Sequence, residues 1–285
     1  MRLFTTTEGI AREAAGGELE ILDLPYEDIG EALRADPELG TVREAQAKRR
    51  RAPGDVTLRA PVLRPGKVIG MGINFHSHVE ETREFLKARG IEPPSEPVFF
   101  LAPGSAVIGP GEEIVLPVVA PGQVDYEIEL AAVIGVGGAS IDEDDALRHV
   151  AGYTLANDVS ARDLQRKSFE GPEYSLSHAK GLDTFKPMGP ALVTTDEFAE
   201  PLDLRLRARV NGELRQDERT TDFVHSVSRC VAHVSRFMQL EPGDVMLTGS
   251  PAGVGVFQGK FLRAGDVVEL EADRVGVLRN VVEAA

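Results

Sequence analysis

From Leu130 to Ile134 every residue is apolar, a run whose length suits a strand buried on both faces. The residues just before it break the pattern: VDYEIE places Glu127 and Glu129 two positions apart. A strand has a side-chain period of two, so both carboxylates leave one face. At roughly 6–7 Å and an effective dielectric near 20, their repulsion is about 2.5 kcal/mol before desolvation. A strict alternation appears later, where Leu202, Leu204, Leu206 and Ala208 interleave with Asp203, Arg205, Arg207 and Arg209. Asn211-Gly212 then signals a type I′ hairpin, so the three arginines read as the wet face of a strand.

The same reading predicts strands over 67–72, 98–101, 113–116, 124–136 and 152–156, and further strands to the C-terminus. Helical spacing predicts 76–89, stopped by Gly90, a short helix at 142–150, and an amphipathic helix at 223–240 that carries His225, Cys230 and His233. Residues 1–62 look like a small N-terminal unit. Short strands near Leu3-Phe4 and at 18–21 are followed by helical segments from 26 to about 51. There Lys48-Arg49-Arg50-Arg51 would complement a helix C-terminus. The Pro/Gly-punctuated stretch RAPGDVTLRAPVLRPG marks the boundary to residues 63–285. The expected class is α+β, mainly β.

Composition narrows the functions. The chain has 285 residues, 42% of them hydrophobic, enough for one large domain with a small one attached. Its net charge of −15 argues against nucleic acid and anionic membrane surfaces as partners. A small anionic substrate would need locally placed positive charge. The single cysteine, Cys230, excludes an intrachain disulfide and reads as a buried small hydrophobe. No apolar run is long enough for a signal peptide or a membrane span, so the expected location is cytoplasmic.

Spacing alone does not make Glu127 and Glu129 a metal site, because Glu269 and Glu271 share it in an ordinary hairpin pattern. What raises the first pair is Asp158 in YTLANDVSARDLQ, a third carboxylate at the end of a predicted strand. Ser160 and Asp163 are spaced as a capping box for the next helix. Three carboxylates without a Cys/His cluster suit a hard cation, Mg²⁺ or Mn²⁺, with Ca²⁺ as a further candidate. In NFHSHVEETREF, either His76–Glu80 or His78–Glu81 could form an oriented general base, and periodicity does not choose between them. Reading these histidines as metal ligands lacks a matching histidine motif downstream. Gly70-Met71-Gly72 lacks the third glycine of a dinucleotide fingerprint, and LTGSPAGVG lacks a P-loop lysine. The latter could still present Thr248 and loop amides to a carboxylate, or be a tight turn.

In order, IGMGINFHSHVEE, VDYEIELAAVIG, GYTLANDVSARDLQ, SHAKGLDTFKPMGP and GDVMLTGSPAGVG resemble the fumarylacetoacetate hydrolase family over about residues 66–285. The resemblance implies a mixed β-roll holding a cation between Glu127, Glu129 and Asp158. It also selects His78–Glu81 as the dyad and makes Lys180 the active-site lysine. Asn74, Arg162, Gln165 and Thr248 fall at substrate-contacting positions. The implied activity is cleavage of a C–C bond in a 2,4-dioxo acid of acylpyruvate or fumarylacetoacetate type, through an enolate stabilised by the cation. The alternatives are isomerisation of a 2-hydroxyhepta-2,4-diene-1,7-dioate and decarboxylation of an oxaloacetate-like acid at the same site. A homodimer is implied too. A non-catalytic, metal-stabilised binding protein is the rival from another class. Two departures, no Trp before the lysine motif and Ser250 where Thr is usual, bear on the substrate.

Overall fold

The computed structural model describes residues 1–90 and 92–285. The expected α+β, mainly β architecture is what forms: a large mixed sheet and a five-stranded sheet packed against it. The central strand of the large sheet is Ile128–Ile134, flanked antiparallel by Val150–Asn157 and Val245–Leu247. Its apolar run has a direct cause. Leu130, Ala132 and Ile134 enter the main core beside Leu206, Leu270 and Leu278 of the smaller sheet, whereas Ala131 and Val133 enter a second core on the opposite face. Both faces are dry, so alternation disappears.

The sheet continues from Val150–Asn157 through Lys186–Thr194 into Arg2–Thr6, Gly9–Glu13, Leu19–Leu22 and Ala47–Arg51. Residues 1–62 therefore extend the large sheet. Leu3, Ile29 and Leu33 pack in the second core with Val68, Ala131, Met188 and Val245. The smaller sheet contains the predicted hairpin, with Asn211 and Gly212 at φ 52° and 79° and Val210 opposite Glu213. Arg205, Arg207 and Arg209 stand on its wet side, paired with Asp217 and Glu271.

Several local expectations are corrected. The basic run 48–51 belongs to an edge strand paired with Leu19–Leu22, and the helices before it are short, Ile29–Ala35 and Gly40–Glu44. Four adjacent cationic side chains find Asp23, Glu8, Glu18 and Glu20 across the strand, and charge on an edge discourages further strand addition. The 124–136 strand is interrupted: Val124–Asp125 pairs with Ser160–Ala161, and regular pairing with the next strand begins at Ile128. The 223–240 helix is reduced to Val227–Ser235, and 142–150 to a single 3₁₀ turn, Ala146–His149. The capping box does not form. Ser160 Oγ donates to the Asp158 carbonyl, and the helix Arg162–Glu170 begins after Ala161 without a side-chain cap.

Candidate active site

Strand register brings the acids together. Ile128 lies opposite Asn157, and one step outward the Asp158 N–H donates to the Glu127 carbonyl at 2.9 Å. Glu127, Glu129 and Asp158 are buried, and each offers a carboxylate oxygen within 4.8 Å of the others. Asn157 contributes as well, its side-chain oxygen accepting the Glu127 N–H at 3.0 Å.

Three buried cations surround them. Arg162 donates from Nε to Asp125 at 2.8 Å, from Nη2 to Glu127 at 2.5 Å and from Nη1 to Gln165 at 2.7 Å. Lys180 Nζ donates to Glu127 and, at 2.6 Å, to Asp158 Oδ2. Lys186 is fully buried; its Nζ meets Asp158 Oδ1 at 2.7 Å, the Phe185 carbonyl at 2.9 Å and the Lys180 carbonyl.

This environment splits the glutamates. Burial alone would raise Glu127, but Lys180 and Arg162 overcome it and hold the carboxyl far below its usual range. Glu129 is driven the other way, by burial first and then by the charges of Asp158 and Glu127. Its bound donor is the Gly249 N–H at 2.5 Å, which is no counter-charge. Lys180 is raised: burial opposes the ammonium, and Asp158 with Glu127 outweighs it. For Lys186 burial wins over Asp158 and the direction is downward. With Asp125 included, there is one more carboxylate than cation. Three buried oxygen donors, one of them lacking a side-chain counter-charge, fit a hard divalent cation.

The dyad lies on the helix His76–Lys87. His78 Nδ1 and Glu81 Oε2 are 2.8 Å apart, while Glu80 pairs with Arg83 instead. Glu81 is fixed in turn by the Gly253 N–H, 2.9 Å from its other oxygen. The glycine-rich loop thus does present amides to carboxylates, but to the protein's own: Gly249 to Glu129, Gly253 to Glu81, and Gly255 and Val256 to Asp125. Glycine is required at two of these positions. At φ 96° and 102°, added Cβ atoms would stand 2.7 Å from Asn74 Cβ and 2.1 Å from the Arg215 carbonyl.

His78, Arg162 and Gln165 line a cleft of about 400 Å³ together with Phe85, Phe169 and Phe257. Its lining combines charged and polar groups with aromatic side chains, Phe257 lying edge-on to His78 at 6.3 Å between ring centroids, the usual composition of a small-molecule site.

The sequence profile described as fumarylacetoacetate (FAA) hydrolase C-terminal matches residues 67–283. The chain belongs to the fumarylacetoacetate hydrolase family. It is an enzyme of that family. Its relatives include the human mitochondrial oxaloacetate tautomerase FAHD2A, 44% identical over 230 residues that cover 80% of this chain and 70% of that protein. Among solved structures, 5-carboxymethyl-2-hydroxymuconate delta-isomerase from Mycobacterium smegmatis is 35% identical with a TM-score of 0.78. The fumarylacetoacetate hydrolase of Exiguobacterium antarcticum is 34% identical with a TM-score of 0.84. Both matches cover 100% of each chain.

Of the family-site residues expected from sequence, Glu127, Glu129, Asp158, Arg162, Gln165 and Lys180 come together around the acids, and His78–Glu81 lines or braces the same cleft. Asn74 and Thr248 lie deeper. The Asn74 amide spans the His225 backbone and the Thr248 carbonyl, and Thr248 Oγ1 donates to the Leu130 carbonyl. Their placement is that of framework around the site. Two participants escaped the sequence reading, Asp125 and Lys186. The signal for Lys186 was a lysine opening the otherwise apolar KPMGPALV, every residue of which is buried.

Proposed function

We propose that this protein is a divalent-cation-dependent enolising enzyme acting on small 2-oxo acids, with keto–enol tautomerisation of an oxaloacetate-like acid as its preferred reaction. The observation that carries the reading is the buried triad Glu127/Glu129/Asp158 beside a cleft lined by a carboxylate-oriented histidine. The tautomerase names of relatives sharing 44% of aligned residues support the choice of substrate class. Glu127, Glu129 and Asp158 would hold Mg²⁺ or Mn²⁺, which when bound supplies Lewis acidity toward the 2-oxo group.

The chain's own residues divide the remaining work. With His78 Nδ1 committed to Glu81, Nε2 is left to take the C3 proton. The C–H electrons become the C2=C3 bond, and the C2=O π electrons pass to the 2-oxo oxygen. That oxygen takes a proton from water, while His78 later returns the C3 proton to solvent. Exchange with water restores the starting protonation. Lys180 uses two of its three N–H groups on Glu127 and Asp158, which leaves one for that oxygen. Gln165 accepts from Arg162 and so retains its NH₂ group for a substrate carboxylate.

A second reading, hydrolytic cleavage of a 2,4-dioxo acid, draws on the aromatic side chains that line the cleft. Phe85, Phe169 and Phe257 offer apolar room that a four-carbon dianion does not fill. There His78 would deprotonate water instead of carbon. The test follows enol absorbance of oxaloacetate and of an acylpyruvate with chelator-treated protein, then with Mn²⁺ restored, against Mn²⁺ alone. Accelerated oxaloacetate interconversion, without release of pyruvate or CO₂, is expected. Pyruvate release from the acylpyruvate with no effect on oxaloacetate would replace the first reading with the second.

A further inference from the structure

Two helices contribute one face each to the lining of the cleft. His78, Phe85 and Arg89 come from His76–Lys87 and the turn that follows it, and Arg162, Arg166 and Phe169 from Arg162–Glu170. Spacings of four, seven and eleven belong to one side of a helix. Helix geometry also sets the distance from the buried acids. Arg162 touches Asp125 and Glu127. Arg166 is one turn farther on, about 6 Å along the axis, and Phe169 about 10 Å. Phe169 meets Phe85 of the other helix edge-on, with ring centroids 5.9 Å apart. The Arg89 guanidinium lies over that Phe85 ring, 3.7 Å from its centre. Arg89 and Arg166 therefore share the neighbourhood of this aromatic pair, a helical turn or more from the acids.

Three arginines line the cleft, and they differ in what occupies them. All three nitrogens of Arg162 are committed, to Asp125, Glu127 and Gln165. Arg166 has Glu170 at 3.7 Å, beyond hydrogen-bond reach, with the acid C-terminal to the base, the weaker order for such a pair. Arg89 reaches the Phe85 carbonyl from Nη1 at 3.4 Å, and its Nε and Nη2 have no partner among the described residues. Glu92 and Glu170 are the carboxylates beside these two guanidiniums, and neither accepts a hydrogen bond from them among the described residues.

We propose that Arg89 and Arg166 form a carboxylate subsite that selects 2-oxo dioic acids with a longer chain than oxaloacetate. The 2-oxo end sits at the buried acids, the methylene chain against Phe85, Phe169 and Phe257, and the far carboxylate at the two guanidiniums. A guanidinium fork takes a carboxylate through two parallel bonds, and the ring face under Arg89 orients its fork. Exposed guanidiniums gain little from a carboxylate free in solution. A carboxylate whose other end is already anchored meets them as an intramolecular partner, and the contact counts for more.

The inference rests on the proposed 2-oxo acid chemistry, and two probes separate the claims. 2-Oxoadipate and 2-oxohexanoate share their chain length and their 2-oxo acid end; one finishes in a carboxylate, the other in a methyl group. Each is titrated by calorimetry into the Mg²⁺-loaded full chain, and exchange of its C3 protons in D₂O is followed by NMR. Wild-type protein should bind 2-oxoadipate about tenfold or more tightly, the gain expected of charge-assisted hydrogen bonds. The double variant Arg89→Met/Arg166→Met should bring the two affinities together. Both arginines are exposed, and methionine keeps an unbranched apolar stem on each helix face. Equal binding of the two acids by the wild type, or a preference that the double variant keeps, overturns the subsite. A loss shared equally by both acids, the mark of a structural role, keeps the preference and overturns it too. Wild-type protein that binds neither acid and exchanges neither would instead overturn the 2-oxo acid reading on which the subsite rests.

Discussion

Two side chains illustrate how position fixes reactivity. His78 lines the cleft and reaches the acids only through space, so His78→Ala should lower turnover by about 10²–10⁴-fold while leaving Mn²⁺ affinity unchanged. Parallel kinetics and calorimetry check this, and a large loss of Mn²⁺ affinity would make the histidine part of the cation centre. Cys230 is the opposite case. Burial pushes its thiol up to about 12, so at pH 8 the thiolate, the reactive form, is almost absent in the folded protein. A disulfide reagent should leave the native thiol unmodified at pH 8 and titrate one thiol after denaturation. Rapid native labelling would show that the helix Val227–Ser235 opens readily.

At the scale of elements, what was legible in the sequence is what local periodicity controls. The buried strand before Ile134, the Asn211-Gly212 hairpin and the helix carrying His78 all follow from patterns within a few residues. The misread element, the basic run 48–51, has no local pattern; its strand is set by acids that arrive from Glu8 to Asp23. The ends of helices failed for the same reason, since contacts from distant loops decide them. Asp158 could be nominated as a ligand, but Asp125 and Lys186 earn their places only through pairing with Arg162 and Asp158 across the fold. Asn74 joins three such pieces. It donates to the carbonyls of His225 and Thr248 and accepts the His225 N–H, tying the start of the dyad helix to two other segments. Asn74→Ala strands those buried groups and should lower stability by about 2–3 kcal/mol. Urea unfolding measures it, and a change below the error of the midpoint would mean that water replaces the amide.

For the whole molecule, the question is what residues 1–62 do for a site to which they contribute no ligand. Strand alternation places Glu129 on the face of Ala131 and Val133, and Lys186 on that of Met188. Those apolar residues belong to the second core, which Leu3, Ile29 and Leu33 complete from the N-terminal side. Arg2 and Leu3 also pair with Val193 and Leu192, so the N-terminal strand covers what would otherwise be an open edge. Each fully buried aliphatic side chain is worth about 1.5–3 kcal/mol. Exposing a handful would consume the roughly 5–15 kcal/mol by which a domain is stable. Residues 63–285 alone should therefore aggregate or fail to bind Mn²⁺, and the intact chain should unfold in one transition with coincident circular dichroism and tyrosine fluorescence. A soluble 63–285 fragment with native Mn²⁺ affinity would mean that the second core supports the sheet without positioning the acids, and that the N-terminal unit serves something other than this site.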